Sequence, residues 1–348
     1  MAYFYVMVRN VQIHQAYNLK MRKLFFISAF LPSVIFPFAT LVIGLRNSSI
    51  FDAPSLLKIS IIPALLFLFA FGMVLIFPQR STLLRENFHG LILFFLFTLG
   101  YFLMASILNK PDINTNNIYF AADSGSWYQR MAAVDGWGMS TRAVHPYTHL
   151  IFRPLIAFLS LFTGGDRFYA NIILLAAAGG GCVFLMWKIA SRVAEDQVYA
   201  VLCASLLGIS ASHLIFASVI ETYIFSTLLL LCFVWLLITN KSSYLLAAVS
   251  IATLGITITN IAQQVLTFLF TKRNPKRLLI IFTLVLLFGI CLNFISRSIY
   301  PVTDYFFVPQ NLMGEQRYSQ EIDIKRIERV MEDIFIYNSI YGLDSETV

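Results

Sequence analysis

Three side chains in this sequence are well suited to move a proton: Asp123, His145 and Glu221. Asp123 opens the run DSGSWYQ, a short distance past a strongly apolar block. A carboxylate at the edge of a lipid phase is partly desolvated, which raises its basicity and suits it to take a proton from an acceptor hydroxyl. Asp is also a favoured N-cap, here for a helix starting at Ser124, and the two roles are compatible. His145 precedes Pro146, a residue that fits the first turn of a helix. An imidazole there can donate to a phosphate or orient a carboxylate. Glu221 is flanked on both sides by apolar residues, where an ionisable group is a functional candidate by default.

Around these three lie groups suited to binding. Arg142 and Arg153 carry planar forks that match phosphate oxygens, although Arg153 is equally suited to snorkel toward headgroups. Trp127 and Tyr128 fit either an interfacial aromatic belt or stacking on a sugar ring. In the run GITITN the threonines Thr257 and Thr259 close a turn, and Asn260 can face the cleft. His213 falls at lipid depth and reads as a hydrogen-bonded structural residue. There is no phosphate-binding glycine loop, because the GGG of residues 179–181 lies inside an apolar block, where small residues let helices approach closely.

The elements that must hold these groups are lipid-spanning helices. Of the 348 residues 58% are hydrophobic and only 12% charged, with 33 Phe and a mean hydropathy of +0.75. Soluble domains carry about 25% charged residues, so the chain is an integral membrane protein. Its net charge of +7 then reflects Lys and Arg kept on the cytoplasmic side and not a nucleic-acid footprint. Cys182, Cys203, Cys232 and Cys291 all sit in apolar runs and read as small buried hydrophobes. The first apolar run, residues 24–45, follows a basic stretch and reads as a membrane helix rather than a cleaved signal.

Apolar runs of about 20 residues give an all-α, polytopic fold of about eight or nine spans. They cover residues 24–45, 57–77, 91–108, 168–189, 198–219, 223–239, 244–259 with a short return to 270, and 278–295. Residues 148–163 are apolar but short and interrupted by Arg153-Pro154, as suits an interfacial helix. The division is residues 1–108 as N-terminal spans, 109–166 as a long extracytoplasmic loop with short interfacial helices, 167–296 as further spans, and 297–348 as an extracytoplasmic tail. That tail contains an amphipathic stretch at 320–340. With 148–163 off the spanning path, Lys188, Lys241 and the cluster Lys272, Arg273, Lys276, Arg277 all fall on the cytoplasmic side, and Glu221 meets the long loop outside.

The order of these segments resembles the GT-C superfamily of membrane glycosyltransferases, particularly bacterial members whose motifs read DSG, HPL, ETY and TLTN. Here they stand as Asp123-Ser124-Gly125, His145-Pro146-Tyr147, Glu221-Thr222-Tyr223 and Thr257-Ile258-Thr259-Asn260, over residues 85–300. The resemblance implies a polyprenyl-phosphate-linked sugar donor, transfer to a lipid, glycan or protein acceptor at the extracytoplasmic face of a bacterial inner membrane, and Asp123 as general base. It calls for no obligatory cofactor and is compatible with a divalent metal. The chain departs from the family at Arg153, where a small or amide side chain is expected. Family members also commonly continue through more spans and often a soluble C-terminal domain. Two other classes fit the composition: a transporter or lipid-linked-glycan flippase, and a non-catalytic membrane subunit. An outer cleft uniting Asp123, His145 and Glu221 favours the enzyme, and a cavity crossing the bilayer favours the transporter.

Overall fold

A computed structural model describes residues 86–109, 123–139, 141–272 and 274–313, and everything below concerns these. The expected spans at 24–45 and 57–77 and the amphipathic stretch at 320–340 lie outside the described residues. The described part is all-helical. Its one β-type pairing is an isolated bridge between Thr141 and Thr303.

In chain order the helices are α1 (Phe88–Leu108), α2 (Ser124–Met131), α3 (Thr148–Ser160), α4 (Arg167–Ala194), α5 (Gln197–Ile209) and α6 (Ala211–Phe216). They continue with α7 (Tyr223–Ile238), α8 (Ser243–Ile256), α9 (Asn260–Lys272), α10 (Pro275–Ile299) and the short α11 (Pro309–Met313). Three of them, α1, α4 and α10, are long and apolar enough to cross a membrane; α3, α5, α7 and α8 are apolar but shorter. The expected span at 198–219 is divided at Ser210, which is extended (φ −60°, ψ 138°), into α5 and α6.

Local chemistry sets the boundaries. Gly164 and Gly165, at φ 67° and 89°, turn the chain after α3 in a backbone region that favours glycine. The Asp166 carboxylate then accepts from the N–H groups of Phe168 and Tyr169 and starts α4. Asp196 does the same for α5, through Val198 and Tyr199. Ser242 caps α8, and Asn274 caps α10 ahead of Pro275.

Two apolar clusters hold the helices together. The first gathers Phe97 and Tyr101 of α1 around the glycine-rich middle of α4, with Phe152 and Ile156 of α3 and Phe225 of α7. The glycines are there for contact: a Cβ on Gly180 would lie 2.0 Å from the Thr98 hydroxyl oxygen. The second cluster packs Leu246 and Leu254 of α8 against Phe233 and Leu237 of α7, Phe268 of α9 and Val285 of α10. Helix α7 contributes to both, and Tyr147, just before α3, belongs to the second. His213 bonds the Gly179 carbonyl (3.3 Å) and packs edge-on against Tyr101, the structural role expected of it.

The bundle therefore has two distinct ends. At one, the turn before α7, the end of α8 and the segment after α10 meet the chain around residues 141–148. At the other, Lys188 of α4 bonds the Asn87 side chain ahead of α1 (2.8 Å) and sits over the Trp235 ring of α7. Lys272 bonds the Asn240 side chain at 2.5 Å, and Arg277 donates to the Lys241 carbonyl and the Ser243 hydroxyl.

Candidate functional site

Residues 141–148 carry Arg142 and His145 and have no helical hydrogen bonds of their own over most of their length. They are fixed instead by partners far away in sequence. The Thr141 carbonyl accepts from Asp304 N–H (3.1 Å), and its hydroxyl bonds Thr303 (2.9 Å). The Val144 carbonyl accepts from Ile258 N–H (3.0 Å), and the Pro146 carbonyl from the buried Asn293 amide (2.8 Å). Tyr147 reaches the Ile251 carbonyl with its hydroxyl (2.5 Å), and Thr148 reaches that of Gly255 (3.0 Å). Gly255 has to be glycine, because a Cβ there would stand 2.1 Å from the Tyr147 ring. The turn expected at 257–259 does join α8 to α9, and its role is to clamp this loop.

His145 is held on two sides. Its Nδ1 donates to the Ile256 carbonyl at 2.5 Å, and its ring stands perpendicular to Trp127 at 4.9 Å. A carbonyl at Nδ1 requires the proton on that nitrogen, so the neutral ring keeps Nε2 as its acceptor. Trp127 is buried, and the Arg130 guanidinium lies 5.2 Å from its ring centre. One α2 side chain thus orients both a histidine and an arginine.

Glu221 sits in the turn between α6 and α7. Its Oε1 accepts from the backbone N–H of Asp123 (2.9 Å), and its Oε2 from that of Thr222 (3.1 Å). The turn is set by Asn109, the residue after α1. Its amide N–H group bonds the Ser218 carbonyl (2.5 Å) and its oxygen accepts from Ile220 N–H (2.9 Å). Glu221 is only 4% exposed, and burial pushes its carboxyl pKa up to about 7, against the pull of the Asp123 and Thr222 N–H groups. Asp123 stands at the N-cap position of α2, but its side chain makes no capping bond. Capping by the Asp123 carboxylate, expected from sequence as compatible with chemistry, does not occur.

These groups line one cleft of about 160 Å³: Asp123, Trp127, Arg130, Thr141, Arg142, His145, Phe216, Glu221, Thr222 and Tyr223. It is small beside ligand pockets of roughly 300–1,000 Å³. The cleft opens at one end of the bundle. Of the residues singled out from sequence, Asp123, Trp127, Arg142, His145 and Glu221 come together here. Burial lowers the Arg130 pKa, with Asp123 and then Glu221 acting to raise it and Arg142 to lower it, so the four charges share one field.

Three expectations are corrected by where the side chains lie. Arg153 is buried on α3 and is not part of the cleft lining. Its guanidinium donates to the carbonyls of Ala133 (2.7 Å), Arg130 (3.1 Å) and Gln129 (3.3 Å), tying down the end of α2, so it neither faces a phosphate nor snorkels to lipid. Tyr128 turns away to pack edge-on against Phe168. Asn260 is half-buried at the start of α9, its N–H on the Thr257 carbonyl, and does not line the cleft.

Arg130 is the main residue that sequence reasoning passed over. Its signal was available: it lies seven residues after Asp123, and therefore two turns along the same helix from the cap. Of the two aromatic residues that flank the Glu221 turn, Phe216 was hidden among many others, and Tyr223 stood in the Glu221-Thr222-Tyr223 motif without a role of its own. Among the described residues no three His, Cys, Asp or Glu side chains cluster as metal ligands. No family model, curated protein or solved structure matches the chain, so its function is argued from this geometry.

Proposed function

We propose that the chain is a membrane glycosyltransferase of GT-C-like architecture, moving a sugar from a polyprenyl-phosphate carrier to an acceptor hydroxyl on a lipid, glycan or protein. The observation that carries this reading is the hydrogen bond from Asp123 N–H to the Glu221 carboxylate. It ties the backbone of one acidic residue to the carboxylate of another, 98 residues apart in sequence, beside Arg130, Arg142 and His145 in a cleft at one end of an apolar bundle. Carboxylates to accept a proton and cations to receive a departing phosphate are the two requirements of this transfer.

In the proposed step Asp123 takes the acceptor's hydroxyl proton as that oxygen attacks the anomeric carbon. The bond from that carbon to the phosphate oxygen breaks, and its electron pair leaves with the polyprenyl phosphate. Arg130 and Arg142 offset the phosphate's charge, and His145, once protonated at Nε2 as well, donates a hydrogen bond to it. Glu221 holds the Asp123 backbone and, being protonated in part near neutral pH, can hydrogen-bond an acceptor in either role.

The placement of Lys and Arg supports an extracytoplasmic cleft; a bacterial inner membrane comes from the family resemblance alone. Among the described residues, Lys188, Arg192, Lys241, Lys272, Lys276 and Arg277 at the far end lie in or beside the short connections that follow α4, α7 and α9. The five arginines at the cleft end (Arg130, Arg142, Arg153, Arg167 and Arg297) are spread over the long loop and helix ends, and Arg153 among them is taken up by backbone carbonyls. Basic residues collected in short connections mark the cytoplasmic side. The test is transfer from a polyprenyl-phosphate hexose by the chain in lipid nanodiscs. Asp123→Asn should lower the rate by about 10²–10⁴-fold while leaving thermal unfolding unchanged; an undiminished rate would remove Asp123 from the reaction.

A further inference from the structure

We infer that Phe216 and Tyr223 form the platform on which the donor's sugar ring rests, an inference that depends on the glycosyl-transfer reading. Recognition of a pyranose needs two kinds of surface: an aromatic face against its C–H groups and carboxylates or other acceptors against its hydroxyls. Sequence pointed to Trp127 and Tyr128 for the aromatic part. The first lines the cleft but is only 6% exposed, with His145 against it and Arg130 over its ring, and the second packs on Phe168 away from the cleft, so neither presents an open ring face there.

Phe216 closes α6 and Tyr223 opens α7, one on each side of the turn that carries Glu221. Their ring centres are 4.8 Å apart with the planes inclined at 54°, and both line the cleft. Tyr223 is 55% exposed. Its hydroxyl lies within electrostatic reach of Glu221, Asp123 and Arg142. An aromatic residue serving only as a membrane belt would face lipid; these two share their lining with both carboxylates. The same mixture argues against the isoprenoid as occupant, since a hydrocarbon tail gains nothing from two acids.

The experiment compares two probes on the intact chain in nanodiscs: a short-chain polyprenyl-phosphate hexose and the same polyprenyl phosphate without sugar. Binding is read by native mass spectrometry and by calorimetry. For the parent chain the sugar should strengthen binding. Tyr223→Ala should weaken the sugar-bearing probe by about five- to ten-fold and leave the bare phosphate unchanged, with Tyr223→Phe restoring most of the loss. Phe216→Leu should act in the same direction. Equal weakening of both probes would assign the pair to the hydrocarbon tail, and an unaltered sugar preference would assign it no role in the site; either result overturns the inference alone. If neither probe binds the parent chain, the glycosyl-transfer reading falls and the platform with it.

Discussion

The two ends of this helix bundle are both rich in charge and use it differently. At the cleft end two charged groups are buried and locked by backbone, Glu221 and Arg153, each 4% exposed and held by two or three main-chain bonds, while Asp123 beside them is exposed. At the far end Lys241 and Lys276 are exposed, and Lys272 and Arg277 bond an asparagine side chain, a serine hydroxyl and one carbonyl at the connection between α7 and α8. Buried charge is costly unless it is satisfied, and once satisfied it fixes geometry and shifts proton affinity. Exposed charge at the far end carries no such constraint, and in the proposed topology its effect is on orientation in the membrane. The difference separates residues that build a site from residues that only aim it.

The contrast is tested most strongly at Arg153. Arg153→Ala would strip donors from three carbonyls around the end of α2, costing about 3 kcal/mol or more, read as the unfolding midpoint of the detergent-solubilised chain. Lys offers a single ammonium instead of a fork and should recover only part of that. A midpoint unchanged in the Ala variant would mean that the guanidinium holds nothing.

Glu221 gives the next effect. Its folded pKa of about 7 lies above the ordinary 4.5, so between those values the folded chain keeps a proton that the unfolded chain has lost. Stability should therefore fall as pH rises through that window and level off above about pH 7. The total is about 3 kcal/mol at roughly 1.4 per pH unit. Glu221→Gln, which imitates the protonated form, should remove this part of the slope. Parent and variant curves of the same shape would show that Glu221 is not the group that titrates.

Asn109 comes third. Asn109→Ala leaves the Ile220 N–H and the Ser218 carbonyl without their partner in a buried turn, at about 2 kcal/mol. Hydrogen exchange over residues 217–222 should rise in step. Unaltered exchange there would make the turn independent of α1.

The sequence made the helices legible because hydrophobic runs report lipid-facing length directly: α1, α4, α7, α8 and α10 were all anticipated within a few residues. It also brought out Asp123, Arg142, His145 and Glu221, since ionisable residues are conspicuous against an apolar background. Arg153 was misread for a physical reason. An arginine in a short apolar helix has the same sequence signature whether it reaches phosphate, lipid headgroups or backbone carbonyls, and only the fold shows three carbonyls converging on it. Tyr128 was misread similarly, because adjacent positions on a helix point about 100° apart: Trp127 lines the cleft beside His145 while Tyr128 turns to Phe168. Asn109 and Gly255 carry no chemistry of their own. Their importance comes from contacts across more than 100 residues, which no local pattern reports.

The smallest effect on stability is expected at the far end, and it is the one that tests orientation. Lys241→Glu and Lys276→Glu alter exposed side chains, so each should change the unfolding midpoint by no more than about 0.5 kcal/mol equivalent. Their consequence is topological, because the far end loses part of the basic excess that marks the cytoplasmic face. A cysteine at Ser242, exposed in the turn between α7 and α8, reports the side directly by its reaction with a membrane-impermeant maleimide in intact cells. With the native lysines, Ser242→Cys should be protected until the membrane is permeabilised. With both lysines reversed, a fraction of the chain should label from outside. Labelling from outside in the otherwise native chain would put the basic end outside the cell and the cleft in the cytoplasm, where a carrier presenting its sugar extracytoplasmically could not reach Asp123.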